Sequence, residues 1–568
     1  MFSELDSMTK DASKNVVVGV QDFVTIIEQN YFYIDKTNFI KEWWDNGHNT
    51  VLITRPRRFG KTLTMSMLEA FFSVEYKNRI DLFKGLSIWK DEEIKKLQGM
   101  FPVINISFAS IKKGSFKDAK DAIYEKIRKL YSKYYFIETK LNPSDKIYFN
   151  KVAEGQFNDS EVCEALNNLC KFLYQYYGNK TIVLLDEYDT PMQEAYVNGY
   201  WEELVSFIRD LFSSTFKDNP YLQRGLLTGI TKVSSESIFS DLNHLDIVST
   251  MSTKFSTCFG FTEDEVNTAL GKYGLSKYRE KVKLWYNGFI FGNTDNIYNP
   301  WSIINFLSLK KFDSYWTNTS SNNLVSKLIR EGNQDIKKSF EDILRGNEIE
   351  CKINEHIVYN DLEDNEEAIW NLLISSGYLK VQPCDNDDNI HLVSVTNYET
   401  KKMFEALVKK WFSTVKDKYN YFISSLLDCD VENMNFYMTS IANRVFSTFD
   451  VGGGFRGDEP ERFYHGVILG LLLELDDRYI ITSNRESGIG RYDVMLEPRD
   501  SKDNAYILEF KVYRDSDGKD LTGTVNKALK QIEDKKYASN LLSRGISDDK
   551  IHVYGFAFRG KEVLIDGN

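Results

Sequence analysis

Residues 51–62 read VLITRPRRFGKT. The apolar run at 51–53 has the composition of a buried strand, and the basic turn after it ends in Gly60, Lys61 and Thr62. A strand that enters a helix through such a loop surrounds a phosphate with backbone N–H groups, while the lysine reaches outer phosphates and the threonine hydroxyl reaches Mg²⁺. The usual pattern has glycine where this chain has Arg55. The order of strand, loop and helix favours a nucleotide site over a basic surface turn.

A second stretch, residues 181–191, reads TIVLLDEYDTP and is an apolar strand that ends in two adjacent acids. Such an arrangement gives one carboxylate to Mg²⁺ and leaves the next to polarise a water molecule. Asp186 is the expected metal partner and Glu187 the expected base. Acids also cap helices that follow strands, so it is the pairing with the phosphate loop that makes this signal strong.

Strands and helices alternate in the first 260 residues. Beyond the two stretches above, we expect strands at 101–108 and 222–229 and helices at 118–135 and 160–177. This alternation predicts a parallel sheet covered on both faces, with ligands at the carboxyl ends of its strands. Lys61 and Asp186 both fall at such ends.

Several further motifs lie along residues 20–320. They are YFYIDKT at 31–37, LTGITK at 227–232, WYNGF at 285–289, YNPWS at 298–302 and YW at 315–316. Together with the two stretches above, they resemble the AAA-ATPase-like family, whose members commonly carry a nuclease-like domain at the C-terminus. The resemblance implies that Arg55 is a normal feature of this phosphate loop.

The cofactors expected are ATP and Mg²⁺. The residues expected to bind them are Arg57, Arg58, Phe59, Gly60, Lys61, Thr62, Asp186 and Thr228, with Thr62 and Asp186 at the metal. The resemblance places Thr228 as a polar sensor near the γ-phosphate, although a threonine at the end of a strand is also a common cap.

Some roles stay open at this point. Arg209 and Arg224 are both candidates for the arginine that stabilises transition-state charge across a subunit interface. The Asp35-Lys36-Thr37 segment most simply caps the helix that follows it. The alternative, based on the resemblance, is that Asp35 or Lys36 touches the nucleotide base or a neighbouring subunit.

The middle of the chain is expected to form a helical lid and a smaller connecting unit. Residues 260–330 read as helical and resemble the lid that follows an ATPase core. In residues 368–407, a helix, a strand, a polar turn and a second strand predict a winged-helix-like unit. Its turn is acidic, with Asp385, Asp387 and Asp388, which favours a regulatory or connecting role over DNA reading.

The C-terminal region carries a second group of reactive side chains. Asp493 enters a strand, residues 497–504 form a polar hairpin, and the returning strand contains Glu509 and Lys511. Alternation with period two places Glu509 and Lys511 on one face, and hairpin pairing brings Asp493 beside them. Two carboxylates can hold Mg²⁺ while the lysine orients or deprotonates water. The alternative is a solvated ion pair between Glu509 and Lys511.

Residues 455–560 resemble the PD-(D/E)xK nuclease superfamily. Asp493 corresponds to the D and Glu509-Phe510-Lys511 to the E-x-K, with Gln531 on a helix at 526–538 as the accessory residue. The resemblance implies catalytic roles for all four side chains and metal binding by Asp493 and Glu509. Tyr492 stands where the name of the superfamily has proline.

The first acid of this motif is ambiguous in the sequence. Glu474 lies on an apolar helix predicted at 463–475, whereas Glu486 lies nearer the hairpin. We prefer Glu486.

The fold class expected is α/β. It comprises a P-loop NTPase parallel sheet (1–260), a helical lid (261–335), a helical or winged-helix-like middle (336–450) and a C-terminal α/β domain like a restriction endonuclease (451–568). The six cysteines include no paired Cys-x-x-Cys, so neither a structural zinc site nor a disulfide framework is indicated. The polar N-terminus and the shortness of the apolar runs predict a soluble, intracellular protein with no membrane partner.

The function expected is Mg²⁺-dependent ATP binding and hydrolysis coupled to cleavage of a nucleic-acid phosphodiester. The partner is nucleic acid, with DNA preferred, bound by the C-terminal domain. A net charge of −12 argues against attraction of the whole surface to nucleic acid but leaves room for local patches. The chain is compatible with a homo-oligomer. The alternative is an ATP-switched binding or scaffold protein whose nuclease-like domain only binds a partner.

Overall fold

The structure is a computed structural model. It describes residues 14–217, 219–232, 238–239, 244–317, 325, 328–329, 334–353, 366–382, 390–413, 416–445, 468–469, 472, 475, 477–483, 486–487, 490–491, 493–513, 520–559 and 561–568. Contacts divide the chain into two compact units. The first comprises Met1–Val325 with Glu348–Lys401, and the second comprises Ser326–Asn347 with Lys402–Asn568. The finer division into four domains stays a prediction.

A parallel sheet forms the centre of the first unit. Its strands are β1 (Thr50–Thr54), β2 (Val103–Ser107), β3 (Thr181–Asp186), β4 (Leu222–Gly229) and β5 (Leu245–Val248). They lie in the order β2-β3-β4-β1-β5, and every pair is parallel. All residues of β1 and β3 are buried, as expected of strands covered on both faces. The predicted parallel sheet is confirmed, whereas β5 was missed because it is short and carries the polar Asp246.

Helices surround this sheet. The helix after the phosphate loop, Lys61–Phe72, packs Met65, Leu68 and Phe72 into one apolar core with Val51 and Leu184 of the sheet. The helix predicted at 160–177 is two helices, Asp159–Cys163 and Ala165–Tyr177, with Glu164 between them. The other helices before residue 260 are Phe23–Glu28, Asn38–Asp45, Glu92–Lys95, Phe116–Lys133, Pro143–Ala153, Thr190–Asn198 and Trp201–Phe216.

The expected lid is mostly helical, with the helices Glu263–Lys272, Arg279–Tyr286 and Pro300–Leu309. The prediction was incomplete, because a two-stranded hairpin, β6 (Phe289–Phe291) with β7 (Thr294–Ile297), interrupts the helices. Two glycines with positive φ, Gly288 at 112° and Gly292 at 56°, lie before the hairpin and in its turn. Glycine adopts this conformation at little cost, which ends the helix and turns the chain.

A small antiparallel sheet follows in the first unit. The helix Glu366–Ser375 leads into β9 (Leu379–Val381) and β10 (Ile390–Val395), which is the predicted order of helix, strand, turn and strand. A third strand, β8 (Ile349–Lys352), pairs with β10 and was not predicted. The acidic turn with Asp385, Asp387 and Asp388 lies outside the described residues.

The second unit contains a mixed sheet in the order β11-β14-β15-β16-β17. Its strands are β11 (Tyr479–Ser483), β14 (Val494–Pro498), β15 (Ala505–Val512), β16 (Ile551–Arg559) and β17 (Glu562–Gly567), and a separate hairpin pairs β12 (Glu486–Ser487) with β13 (Gly490–Arg491). The predicted hairpin is confirmed, since β14 pairs antiparallel with β15. β15 and β16 are parallel, and the helix Thr522–Lys535 is their crossover.

The remaining helices are Gln334–Arg345, Tyr398–Ser413, Lys416–Leu427, Val431–Val445 and Ser539–Ser543. Asn435 covers the edge strand β17: its Nδ2 donates to the carbonyl of Ile565 at 2.7 Å, and its Oδ1 accepts from the N–H of Ile565 at 2.8 Å. Such cover protects an exposed strand from pairing with another chain. In the part of the chain that the structure describes, no helix combines the length and apolar character that a membrane crossing requires.

Candidate functional sites

The phosphate loop joins β1 to the helix Lys61–Phe72. Gly60, the residue before this helix, has φ 85° and no side chain with which to cap it. The first N–H groups of a helix have no partner within the helix. This helix end therefore offers backbone donors and a positive dipole to an anion.

Lys61 lies inside the loop, with 5% of its surface exposed. Its Nζ donates to the carbonyl oxygens of Arg55 at 2.8 Å and Pro56 at 2.9 Å. Burial lowers the pKa of Lys61, and the negative charges of Glu187, Asp186 and Asp189 act in the opposite direction. A buried ammonium group beside acids and loop carbonyls has the charge and position to bind a phosphate.

Asp186 joins three elements at the end of the sheet. Its Oδ2 accepts from the Thr62 hydroxyl at 2.7 Å, and its Oδ1 accepts from the Thr228 hydroxyl at 2.5 Å. Burial raises the pKa of Asp186, and the two threonine hydrogen bonds lower it. The structure thus brings together Thr62, Asp186 and Thr228, which the sequence placed on separate segments.

Two further acids follow Asp186. Glu187 has φ 52°, and its Oε2 accepts from Thr190 Oγ1 at 3.2 Å. Asp189 was not predicted as a functional residue. Its Oδ2 accepts from the N–H groups of Ile230 at 3.0 Å and Thr231 at 2.9 Å, while its buried Oδ1 has no hydrogen-bond partner. Asp189 therefore fixes the start of the loop after β4, and its place in the LDEYD motif was the available signal.

Arg55 explains the missing glycine of the phosphate loop. It is fully buried, and its Nη1 donates to the carbonyls of Thr54 at 2.9 Å and Ser249 at 2.6 Å. The guanidinium lies over the ring of Phe291, 4.6 Å from its centroid. Burial lowers the pKa of Arg55 to about 10. Its φ is not positive, so the backbone does not require glycine here, and the side chain ties the loop to the segment after β5.

The other side chains of the loop point to different partners. Arg57 Nη2 donates to Gln193 Oε1 at 3.3 Å. The guanidinium of Arg58 lies 4.2 Å from the ring centroid of Trp301. Phe59 is buried against Phe289 and Phe291 of the hairpin, with centroids 4.8 and 5.3 Å away. Because its ring is buried, Phe59 could contact a nucleotide only through its backbone. The guanidinium groups of Arg57 and Arg58 could contact it directly.

Arg224 has a packing role. It lies near the amino end of β4, and its guanidinium donates to the carbonyls of His48 at 2.8 Å and Trp44 at 3.0 Å. The phosphate loop lies at the carboxyl end of the neighbouring parallel strand. These contacts argue against Arg224 as the transition-state arginine. Arg209 lies half-buried on the helix Trp201–Phe216, and its role stays a prediction.

The Asp35-Lys36-Thr37 segment ties parts of the first unit together. Thr37 precedes the helix Asn38–Asp45 and its side chain makes no capping hydrogen bond, so within this segment the carboxylate of Asp35 is the group that accepts at the start of the helix. Asp35 accepts from the N–H groups of Thr37 at 2.9 Å and Ser87 at 2.6 Å. Lys36 forms an ion pair with Glu265 at 2.7 Å.

The second candidate site lies where β14, β15 and the helix Thr522–Lys535 meet. Asp493 Oδ2 accepts from the N–H of Phe510 at 2.8 Å. Lys511 Nζ lies 3.2 Å from Glu509 Oε1, and Gln531 Nε2 donates to the same oxygen. Gln531 Nε2 also lies 3.2 Å from the hydroxyl of Tyr537, which the sequence did not single out. All four predicted side chains therefore gather at one place.

The electrostatics of this site favour a cation. Glu509 is 1% exposed, and its Oε2 is buried without a hydrogen-bond partner. Burial and the negative charge of Asp493 together raise the pKa of Glu509 to about 8, against the opposing effect of Lys511. A buried carboxylate oxygen with no donor, beside a second carboxylate, has the chemistry of a ligand for a hard divalent cation.

Among the described residues, neither site gathers a complete set of protein ligands. No group of three or more His, Cys, Asp or Glu side chains suited to a metal occurs among the described residues. A cation at either place would complete its coordination with water or phosphate oxygens, as Mg²⁺ usually does. Glu474 lies outside the described residues, and β12 contains Glu486 without a described side chain, so the choice between these acids stays a prediction.

Comparison with known proteins agrees with this architecture. Residues 17–239 match the family model of a predicted AAA-ATPase, and residues 459–567 match the model of the PD-(D/E)XK nuclease superfamily. A protein of Azotobacter chroococcum mcd 1, titled "Uncharacterized protein in vnfD 5'region", is 26% identical over 560 residues, which is 96% of each chain. The expected combination of an AAA-ATPase-like domain with a C-terminal domain similar to the PD-(D/E)XK nucleases thus has a matching family model at each end of the chain.

Proposed function

We propose that this protein binds and hydrolyses ATP with Mg²⁺ and that ATP turnover is coupled to cleavage of a nucleic-acid phosphodiester, with DNA the preferred substrate. The observation that carries the first half is Asp186, held by Thr62 and Thr228 beside the buried Lys61. The orphaned Oε2 of Glu509 carries the second half. Both sites have residues that fit a divalent cation and a phosphate group.

At the nucleotide site, bound ATP with Mg²⁺ supplies the γ-phosphate and the positive charge that activates it. Lys61 exchanges its two carbonyl partners for phosphate oxygens. Thr62 and Asp186 would hold the cation. Glu187 orients the attacking water, and Thr228 keeps Asp186 in place through its hydroxyl.

At the nuclease site, a divalent cation supplies Lewis acidity to the scissile phosphate. Asp493 and Glu509 would hold this cation, and the Oε2 of Glu509, which has no hydrogen-bond partner, is the oxygen available to it. Lys511 orients or deprotonates the attacking water and offers positive charge to the phosphate. Gln531 fixes Glu509 through its amide.

ATP hydrolysis by purified full-length protein tests the first half. We expect activity that requires Mg²⁺ and that is lost in Lys61→Ala, because the substitution removes the buried ammonium group. Arg224→Met is the matched control, since this cation lies at the other end of the sheet and should leave hydrolysis in place. Equal rates for wild type and Lys61→Ala would contradict the proposal.

Cleavage of labelled single- and double-stranded DNA in Mg²⁺ or Mn²⁺ tests the second half. We expect cleavage by wild type and none by Asp493→Ala or Lys511→Ala. Asp500→Ala is the control, because Asp500 lies exposed in the turn between β14 and β15 of the same hairpin. DNA that is bound but never cut would instead assign a binding role to this domain, with ATP as its switch.

A further inference from the structure

The first turn of the lid helix Pro300–Leu309 lies against the phosphate loop. Asn299 precedes this helix and donates its Nδ2 to the carbonyl of Arg57 at 3.3 Å. Two residues later, the indole of Trp301 lies under the guanidinium of Arg58 at 4.2 Å. Adjacent loop residues are thus held by one helical turn that follows them by more than two hundred positions in the sequence.

Arg58 is poised between two partners. It lies in the loop two residues before Gly60, with φ 66°, a conformation that a side-chain-bearing residue adopts only at some energetic cost. Among the described residues Arg58 forms no ion pair, so its charge rests on the aromatic face. A guanidinium binds phosphate through two parallel, charge-assisted hydrogen bonds, which are stronger than a half-exposed cation–π contact.

The position of Trp301 is fixed by hydrogen bonds of its neighbour in the chain. The neighbouring Ser302 donates its hydroxyl to Glu399 Oε2 at 2.8 Å. The other oxygen of Glu399 accepts from the N–H groups of Trp316 at 2.5 Å and Thr317 at 3.3 Å. Glu399 is fully buried, so these hydrogen bonds fasten the turn to the segment after the lid helix.

We infer that Trp301 is a positioning residue for Arg58. It holds the guanidinium away from the phosphate site while the loop is without nucleotide, and Glu399 keeps Trp301 in that place. Binding of a nucleoside triphosphate draws Arg58 from the indole to a phosphate oxygen and leaves the hydrogen bond from Asn299 to the carbonyl of Arg57 as the remaining contact of this turn to the loop. The inference rests on the proposed binding of ATP at Lys61.

The sign of the effect distinguishes this role from simple support of the lid. If the stack competes with the phosphate, removing the indole destabilises only the nucleotide-free state, and affinity rises. A half-exposed cation–π contact corresponds to about a two- to fivefold change in the dissociation constant. A merely structural role for Trp301 would instead weaken binding when the ring is removed.

The test measures the dissociation constant of a fluorescent, non-hydrolysable ATP analogue with Mg²⁺ at pH 8, on the full chain. We expect Trp301→Leu to bind about two- to fivefold more tightly than wild type, and Trp301→Phe to lie between them. Trp285→Leu is the matched control, because Trp285 lies in the same lid, on the helix Arg279–Tyr286, and its ring packs on Tyr398 with centroids 4.8 Å apart. It should leave the constant unchanged.

A double-mutant comparison isolates Arg58. In an Arg58→Ala background, Trp301→Leu should have no effect, because there is no guanidinium to hold. Glu399→Gln should tighten binding in the wild-type background and have no effect beside Trp301→Leu. Weaker or unchanged binding in Trp301→Leu, or the same tightening without Arg58, would overturn the inference. Wild type that binds no analogue in a Lys61-dependent manner would instead refute the proposed function.

Discussion

Glu509→Gln should change how the stability of the protein depends on pH when no metal is present. In the unfolded chain the carboxyl group releases its proton near pH 4.5, whereas in the folded chain burial and Asp493 raise its pKa to about 8. Between these values the folded chain binds more protons than the unfolded chain, so stability falls as pH rises. Glutamine keeps the shape of the side chain and removes the titration.

The size of the effect follows from the two values. Each pH unit between 6 and about 8 removes about 1.4 kcal/mol from the free energy of unfolding, and the loss ends once the folded group has ionised. Wild type should therefore lose about 3 kcal/mol more than Glu509→Gln between pH 6 and pH 9. For a unit of this size, that corresponds to roughly 6–12 °C in the midpoint of its thermal transition.

The assay is calorimetry of the full chain in EDTA at pH 6, 7, 8 and 9, following the transition that the substitution moves. Glu562→Gln is the control, because Glu562 is exposed on the edge strand β17 of the same sheet and should retain the wild-type profile. Adding Mn²⁺ at pH 9 should restore stability to wild type but not to Glu509→Gln. Parallel pH profiles for wild type and Glu509→Gln in EDTA would show that Glu509 does not have the raised pKa on which this prediction depends.

Three other substitutions address the first unit. Thr228→Val should lower the rate of ATP hydrolysis by about tenfold or more with little effect on nucleotide affinity, since it removes a hydroxyl bonded to the Asp186 carboxylate; equal rates would count against a role for Thr228. Arg55→Met should destabilise the first unit by about 1–3 kcal/mol in urea unfolding, because it removes the donor to the carbonyls of Val248, at the end of β5, and of Ser249. Unchanged stability would contradict the assignment. Arg224→Met should also lower the free energy of unfolding, because it removes the donor to two backbone carbonyls, but it should keep ATP hydrolysis. If hydrolysis is instead lost, and mixing this variant with an Asp186→Asn chain restores it, Arg224 would act across a subunit interface as the transition-state arginine.

Much of the architecture could be predicted because it rests on local patterns. Continuous apolar runs marked β1 and β3, and the polar residues at their ends marked the edge of the sheet where Lys61 and Asp186 lie. The hairpin β6–β7 was missed, since its strands are short and their burial depends on Phe59 from a distant loop. Strand β5 was also missed, because it is short and carries a polar residue, so that its pairing with β1 is what identifies it as a strand.

In the nuclease-like domain, too, the sequence predicted which side chains share a face but not how they are buried. Period-two alternation was enough to place Glu509 and Lys511 on one face of β15, because side chains alternate in any strand. The sequence could not show that Glu509 would be buried with an unpartnered oxygen. That depends on Gln531, on its neighbour Tyr537, and on how closely the crossover helix packs on the sheet.

Local sequence patterns specify which side chains are available and at which ends of which strands they lie. The partners of these side chains depend on the fold. Arg55 donates to carbonyls, Arg58 stacks on Trp301, and Glu399 binds the start of the lid helix. The physical reason is that strand and helix patterns arise from neighbours in the chain, whereas a hydrogen bond or a stacked ring requires two distant segments to meet. Local composition therefore cannot predict these contacts.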